Sequence, residues 1–134
     1  MVKFTAKVKE AESYDACMQF IMLMLHARTT AHIKHWLTGS RSDHLALQNF
    51  YENIVPLIDD FVESYQGEYG KIVNFPTAYE YPTDTPLAYI STLCSQTDGL
   101  RRDGSFPQES WIQNQVDGIR QLLSQVRYQL AELK

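Results

Sequence analysis

Residues 70–86 read GKIVNFPTAYEYPTDTP, and the way this stretch is read decides the fold. It carries three prolines, Pro76, Pro82 and Pro86, and the aromatics Phe75, Tyr79 and Tyr81. Prolines at this density stop a helix, and aromatics at this density ask to be packed, so the stretch reads as a loop held against the body of the protein. Seventeen extended residues reach roughly 55 Å at about 3.3 Å each, whereas a helix of about 26 residues is about 39 Å long. Such a loop crosses a helical bundle from end to end. The helix after it can then run parallel to the helix before it.

Working outward, the preceding segment repeats apolar residues at helical spacing (Leu45, Leu47, Phe50, Ile54, Leu57, Ile58, Phe61, Val62) and stops before Gly67 and Gly70. Pro56 predicts a kink within it. Ser40 and Asp43 sit where a cap and a first-turn acid belong. Upstream, Ala16, Phe20, Leu23, Ala27, Ala31 and Trp36 predict a first helix over about Glu10–Leu37, closed by Gly39. Downstream, a short third helix is expected over about Thr85–Thr97, followed by the turn signals Asp98-Gly99 and Asp103-Gly104. Ile112, Val116, Ile119, Leu123, Val126, Leu130 and Leu133 then step by four and three from Gln108 to the end, one narrow seam that must be buried. The expected fold is all-α: residues 1–134 form one four-helix bundle with a long crossover between the second and third helices, the connectivity of ferritin-like bundles.

A chain of 134 residues buries a core without needing disulfides or a structural metal. Its net charge of −4 argues against nucleic acid as the main partner, which demands a basic face. Lys3, Lys7 and Lys9 make a small basic start, but Glu10 and Glu12 follow at once. Cys17 and Cys94 each lie in an apolar helical pattern and read as reduced core residues. The apolar run from Phe20 to Leu25 is too short to span a bilayer and has no signal-peptide flanks. A cytoplasmic protein is expected, without a membrane partner.

Three of the four histidines, His26, His32 and His35, lie on the first helix, and His44 opens the second. Asp59 and Glu63, four apart, share one face of the second helix. Imidazoles beside carboxylates are the donor set of a transition-metal site. His44 and Asp59 are nevertheless fifteen residues apart on one helix, about 22 Å along its axis. One chain cannot close that gap. Two second helices packed antiparallel about a two-fold axis can, with His35 and His44 of one subunit facing Asp59 and Glu63 of the other, giving two identical sites per dimer. His44, Gln48, Asp59 and Glu63 fall within an arc of roughly 100° at 100° per residue, so they share that face.

His35-Trp36 before a glycine, then His44, then Asp59 and Glu63, resembles the ferroxidase signature of the Dps-type miniferritins over about Thr30–Gly67. That resemblance implies a dimer-interface iron site, with His35 and His44 as ligands from one subunit, Asp59 and Glu63 from its partner, and ferroxidase-like activity. Gln48 stands where that family has an aspartate, and the two histidines are nine apart where the family spaces them by twelve. The chain also resembles small, often phage-encoded proteins that share the HW, H, D-x-x-x-E and YQGxYG pattern, the last being Tyr65–Gly70 here. No activity comes with that second resemblance.

Two functions of different class are therefore expected. The first is a ferritin-like protein binding iron, zinc or manganese through His35, His44, Asp59 and Glu63, at least dimeric through its second helix. The second is a metal-free helical oligomer acting as an interaction or sequestering protein, in which the same four residues pair across the interface and the aromatic crossover meets a partner. His26 and His32 read as packed or exposed residues, Trp36 and the crossover tyrosines as core or interface aromatics, and Met18, Met22 and Met24 as packing.

Overall fold

A computed structural model describes residues 15–134. Among them are four helices and no strand: α1 Ala16–Leu37, α2 Arg41–Tyr69, α3 Pro86–Leu100 and α4 Ser110–Glu132. The predicted helix start at Glu10 and the lysine-bearing first residues lie outside the described residues. Asp15 caps α1, its Oδ1 accepting from the Met18 amide at 2.9 Å, and Ser40 caps α2 by accepting from the Asp43 amide. Thr85 does the same for α3, with Pro86 in the first turn, where its missing N–H is no loss.

Helix α2 outruns its predicted end. It passes through Gly67 and stops at Gly70, whose φ of 97° is open to glycine and costly for other residues. Pro56 lies within α2 on its solvent side. Its ring leaves the Glu52 carbonyl without a main-chain donor, both residues are exposed, and the helix continues. Helix α3 also runs past Thr97, absorbing Asp98-Gly99 into its last turn, while residues 101–109 form the connection to α4.

Side-chain contacts set the helix directions. The Ala16 amide donates to Ser105 Oγ at 2.9 Å, which puts the start of α1 beside the α3–α4 connection. Asn49 of α2 bonds Gln129 near the end of α4, and Ser64 of α2 bonds Gln115 near its beginning, so these two helices run antiparallel. Residues 70–85 climb α1 in the direction of α1 itself: Tyr79 stacks on His26, and farther along Lys34 Nζ donates to the carbonyls of Pro82 (2.9 Å) and Asp84 (2.5 Å). Helix α3 thus begins at the end where α1 finishes and α2 starts, and α2 and α3 run the same way. Around the core the neighbours are α1–α2, α2–α4, α4–α3 and α3–α1.

The core is held at one end by Phe20, Phe61 and Phe106, one ring each from α1, α2 and the α3–α4 connection, with centroids 5.2–5.9 Å apart. Edge-on geometry suits the ring quadrupoles of the pairs that include Phe20. Cys17 and Cys94 are free and buried, and burial pushes both thiols up in pKa, as expected of inert core residues. Met18 and Met24 are fully buried and Met22 packs at the core margin. The α4 seam is buried from Ile112 to Leu130, but Leu133 lies past the helix end and is half exposed. Among the described residues, no helix is long and apolar enough to cross a membrane.

Candidate functional site

The tight turn between α1 and α2 brings His35 and His44 into contact. Residues 38–40 reverse the chain, with the Thr38 hydroxyl accepting from the Ser40 amide, and the two imidazoles stack with centroids 3.5 Å apart. Their bonds are reciprocal. His35 Nδ1 donates to the His44 carbonyl at 2.7 Å, and His44 Nδ1 donates to the His35 carbonyl at 2.9 Å. A carbonyl only accepts, so both Nδ1 atoms carry hydrogen, and in a neutral ring the lone pair then sits on Nε2. The Tyr51 hydroxyl lies 3.4 Å from His35 Nε2, placed to donate to it.

His32 and Tyr51 extend the cluster. His32 stacks on the Tyr51 ring at 4.0 Å, meets His35 edge-on at 5.7 Å, and carries Trp36 on its other side at 4.2 Å. Arg28 and His35 add to partial desolvation in pushing the His32 pKa down. The sequence places His32 outside the site as a packed or exposed residue; it is partly buried, and the rings it packs on are the site. The i, i+3 spacing of His32 and His35 and the two-turn step from His44 to Tyr51 were the signals for this grouping. Trp36 is no core residue in this chain, being 68% exposed.

Asp59 and Glu63 stand apart from the cluster. Both are exposed and neither makes an ion pair or hydrogen bond among the described residues. They continue an outward stripe of α2 formed by Leu45, Gln48, Glu52, Val55 and Pro56, and the rise of the helix sets Asp59 about 22 Å from His44 along the axis. No group of three or more His, Cys, Asp or Glu able to hold a metal occurs among the described residues. One chain supplies imidazoles at one end of a face and carboxylates at the other.

Lys34 was not singled out by the sequence, and it is nearly buried. Its ammonium is spent on the Pro82 and Asp84 carbonyls and lies over the Tyr89 ring, 5.4 Å from the centroid. Desolvation pushes its pKa down, partly countered by Asp84. A lysine one turn after Ala31 and two turns after Ala27 on the inward stripe was the available signal.

Among the described residues, fold and cluster together define an all-helical arrangement of four packed helices with a histidine-rich turn joining the first two. Residues 35–130 match DUF5856, a family of unknown function, and the chain belongs to that family. The match begins at His35 and takes in His44, Asp59, Glu63 and the Tyr65–Gly70 motif. The uncharacterized 14.6 kDa protein of the mobD–ri intergenic region of Enterobacteria phage T4 is 27% identical over 115 residues, covering 84% of this chain and 86% of the phage protein. No solved structure matches the chain.

Proposed function

We propose that this protein is a ferritin-like homo-oligomer whose α2 helices pair antiparallel across a two-fold axis, with a metal ion held by His35 and His44 of one subunit and Asp59 and Glu63 of the other. The observation that carries this reading is the division of the donor set along α2, with His44 at its start, stacked on the buried His35 of α1, and the exposed Asp59 and Glu63 farther along it. A register centred between Asn53 and Ile54 sets His44 opposite Glu63 of the partner subunit and Gln48 opposite Asp59 of the partner subunit at the same time. Leu45 and Val55, both about half exposed, lie on the same stripe and would be covered by the pairing.

The donor chemistry fits a divalent transition metal in part. Each imidazole has its Nδ1–H tied to a main-chain carbonyl, the outer bond that orients a metal-binding histidine and leaves Nε2 as the donor. Two carboxylates would compensate the charge of a divalent ion. Tyr51 has to yield at His35 Nε2. Gln48 contributes no charge, so the site would be weaker than one with a third acid. Iron is the metal favoured by the miniferritin resemblance, with zinc or manganese as substitutes, and bound iron would supply one-electron oxidation chemistry. The exposed Asp59 and Glu63 would deliver their carboxylates only in the dimer, so assembly and metal affinity would rise together.

A second reading keeps the oligomer without the metal. It is favoured by the closed hydrogen bonding of the histidine turn, which needs no ion to satisfy it, and by the exposure of Trp36 and Leu37, the latter 78% exposed. In that reading the protein acts by binding another protein surface, and the family's phage relative places no constraint on which.

Untagged protein purified without chelator tests both readings, by mass measurement in solution and elemental analysis. A dimer with metal bound, lost in Glu63→Ala without loss of fold, supports the first. A dimer without metal, with unchanged thermal stability on adding Fe(II), Zn(II) or Mn(II), supports the second, because a ligand at a hundred times its Kd stabilises by about 2.7 kcal/mol. A monomer sinks both.

A further inference from the structure

The outer side of α4 carries an uncharged stripe. Trp111, Asn114, Gly118, Gln121, Gln125 and Tyr128 follow one another at steps of three and four, which places them within an arc of roughly 100°. All but the part-buried Gly118 are exposed, Trp111 by 47% and Tyr128 by 57%. The charged residues of α4 over the same span lie toward α3 instead. Asp117 pairs with Arg101 at the end of α3, Arg120 pairs with Asp98, and Arg127 acts on the Cys94 thiol.

Gly118 is the odd residue of the stripe. Glycine is among the weakest helix formers, yet this one stands in the middle of α4 with no positive φ to explain it. Nothing among the described residues demands it, since an added Cβ would meet Leu57 Cδ2 at an ordinary 4.0 Å. A missing side chain here permits another backbone to come close from outside. The surface beside it is hollowed. A concavity of about 330 Å³ lies between α2 and α4, lined by Asn53, Leu57, Gly118 and Gln121 among others, and it shares Asn49 and Gln125 with a second of about 430 Å³ beside Tyr128, Gln129 and Leu133.

We propose that this side of α4 pairs with the same side of a second copy, the two helices running in opposite directions about a two-fold axis level with Ile119 and Arg120. That register sets Trp111 against Tyr128 of the partner subunit, Asn114 against Gln125 of the partner subunit and Gly118 against Gln121 of the partner subunit. Aromatic meets aromatic, amide meets amide, and the helices approach most closely where one of them has no side chain. Trp111 of the partner subunit fills the hollow beside Tyr128 and Leu133, an aromatic anchor in a pocket. Any contact made across the axis is made twice, because the interface is isologous. The chain's own residues 1–14 suit the stripe less well: Lys3, Lys7, Lys9, Glu10 and Glu12 would bring five charges to a surface that offers them no partner. The α4 pairing uses a different surface from the α2 stripe and needs no metal.

Solution mass and tryptophan emission of the full chain test the pairing. Gln121→Glu places two like charges within about one helical turn of each other across the axis. It should weaken association at least tenfold and halve the wild-type mass, whether or not α2 also pairs. In a Trp36→Phe background Trp111 is the sole tryptophan, and its emission should move to the blue as the copies pair. Trp111 and Tyr128 are 17 residues apart, about 25 Å along α4, so within one chain they do not meet. Tyr128→Ala should therefore shift Trp111 emission back to the red, compared at equal degrees of pairing. An unchanged mass in Gln121→Glu, including one that falls only in Val55→Lys on the α2 stripe, overturns the proposal. So does Trp111 emission that ignores Tyr128→Ala, and so does a monomer whose emission is independent of concentration, which leaves the stripe to residues 1–14 or to water.

Discussion

His35 and His44 are cross-bonded, each ring Nδ1 donating to the main-chain carbonyl of the other residue across the α1–α2 turn. The pair closes a reversal of the chain with side chains, so the turn is organised by the same two residues that would hold a metal. Replacing either histidine therefore has a structural effect in the absence of any ion. His44→Ala removes the donor to the His35 carbonyl and should destabilise the protein by about 1–2 kcal/mol, read as a lower urea midpoint at unchanged slope. His44→Asn, short but able to donate, should recover part of the loss.

The acid pair should behave in the opposite way. Asp59 and Glu63 are exposed and unpartnered among the described residues, so the double substitution to alanine should change monomer stability by no more than about 0.5 kcal/mol. Unfolding of this variant would mean that the two carboxylates are structural partners in an assembly. Mass measurement beside the denaturation curve separates a lost oligomer from a lost fold.

Lys34 staples the crossover to α1. In Lys34→Met the aliphatic volume is kept but the Pro82 and Asp84 carbonyls lose a charged donor, a loss of about 2–3 kcal/mol. Hydrogen exchange should localise the effect: amides of residues 79–85 should exchange at least tenfold faster, with little change in α4. Uniform acceleration throughout the protein would place Lys34 in the global core instead.

Tyr69 titrates late because its hydroxyl donates to Glu109, with desolvation and nearby acids adding to the effect, and its pKa is pushed up to about 12. A group whose folded pKa exceeds its unfolded value near 10 stabilises the fold below that unfolded value and loses the contribution as pH rises through the folded one. Glu109→Gln should bring the Tyr69 transition back toward 10, measured as the ultraviolet difference against Tyr69→Phe. A transition that stays near 12 would assign the shift to burial instead of Glu109.

Asp98 gives the acid-side counterpart. The Arg120 guanidinium, 2.9 Å away, holds its carboxyl below the ordinary value. A depressed folded pKa stabilises above the unfolded value of about 3.9 and is lost as pH falls below it. Asp98 is 42% exposed, so solvent screens the pair and the coupling in an Asp98→Ala/Arg120→Ala cycle should be below about 1 kcal/mol at pH 7. It should decline as pH falls from about 4 through the lower folded value, and a coupling that does not decline in acid would be due to packing.

Helix α4 was legible from Ile112 to Leu130 because one narrow seam at helical spacing has a single reading, and only Leu133 fell outside it. Helix α1 was harder. Apolar residues such as Leu25 and Leu37 face outward, while Thr30, Lys34 and His35 face inward, so hydrophobicity alone did not mark its buried side. Those inward polar groups are satisfied by atoms remote in sequence, the Lys34 ammonium by carbonyls some fifty residues on. The ends of α2 and α3 were placed short because Gly67 and Asp98-Gly99 look like stops, whereas packing on neighbouring helices outweighs the propensity of one glycine.

By itself the sequence determined four helices, their approximate limits and a crossover long enough to make the second and third run parallel, because periodicity and proline act locally and along the chain. It also determined that His44 and Asp59 cannot meet in one chain, because helix rise is constant. Only the tertiary structure decided that His35 and His44 clasp one another with His32 and Tyr51 around them, that Lys34 fastens the crossover, and that Tyr69 of α2 bonds Glu109 before α4. Each of those depends on bringing together groups far apart in sequence or across a turn, where geometry in three dimensions chooses the partner and no spacing rule can.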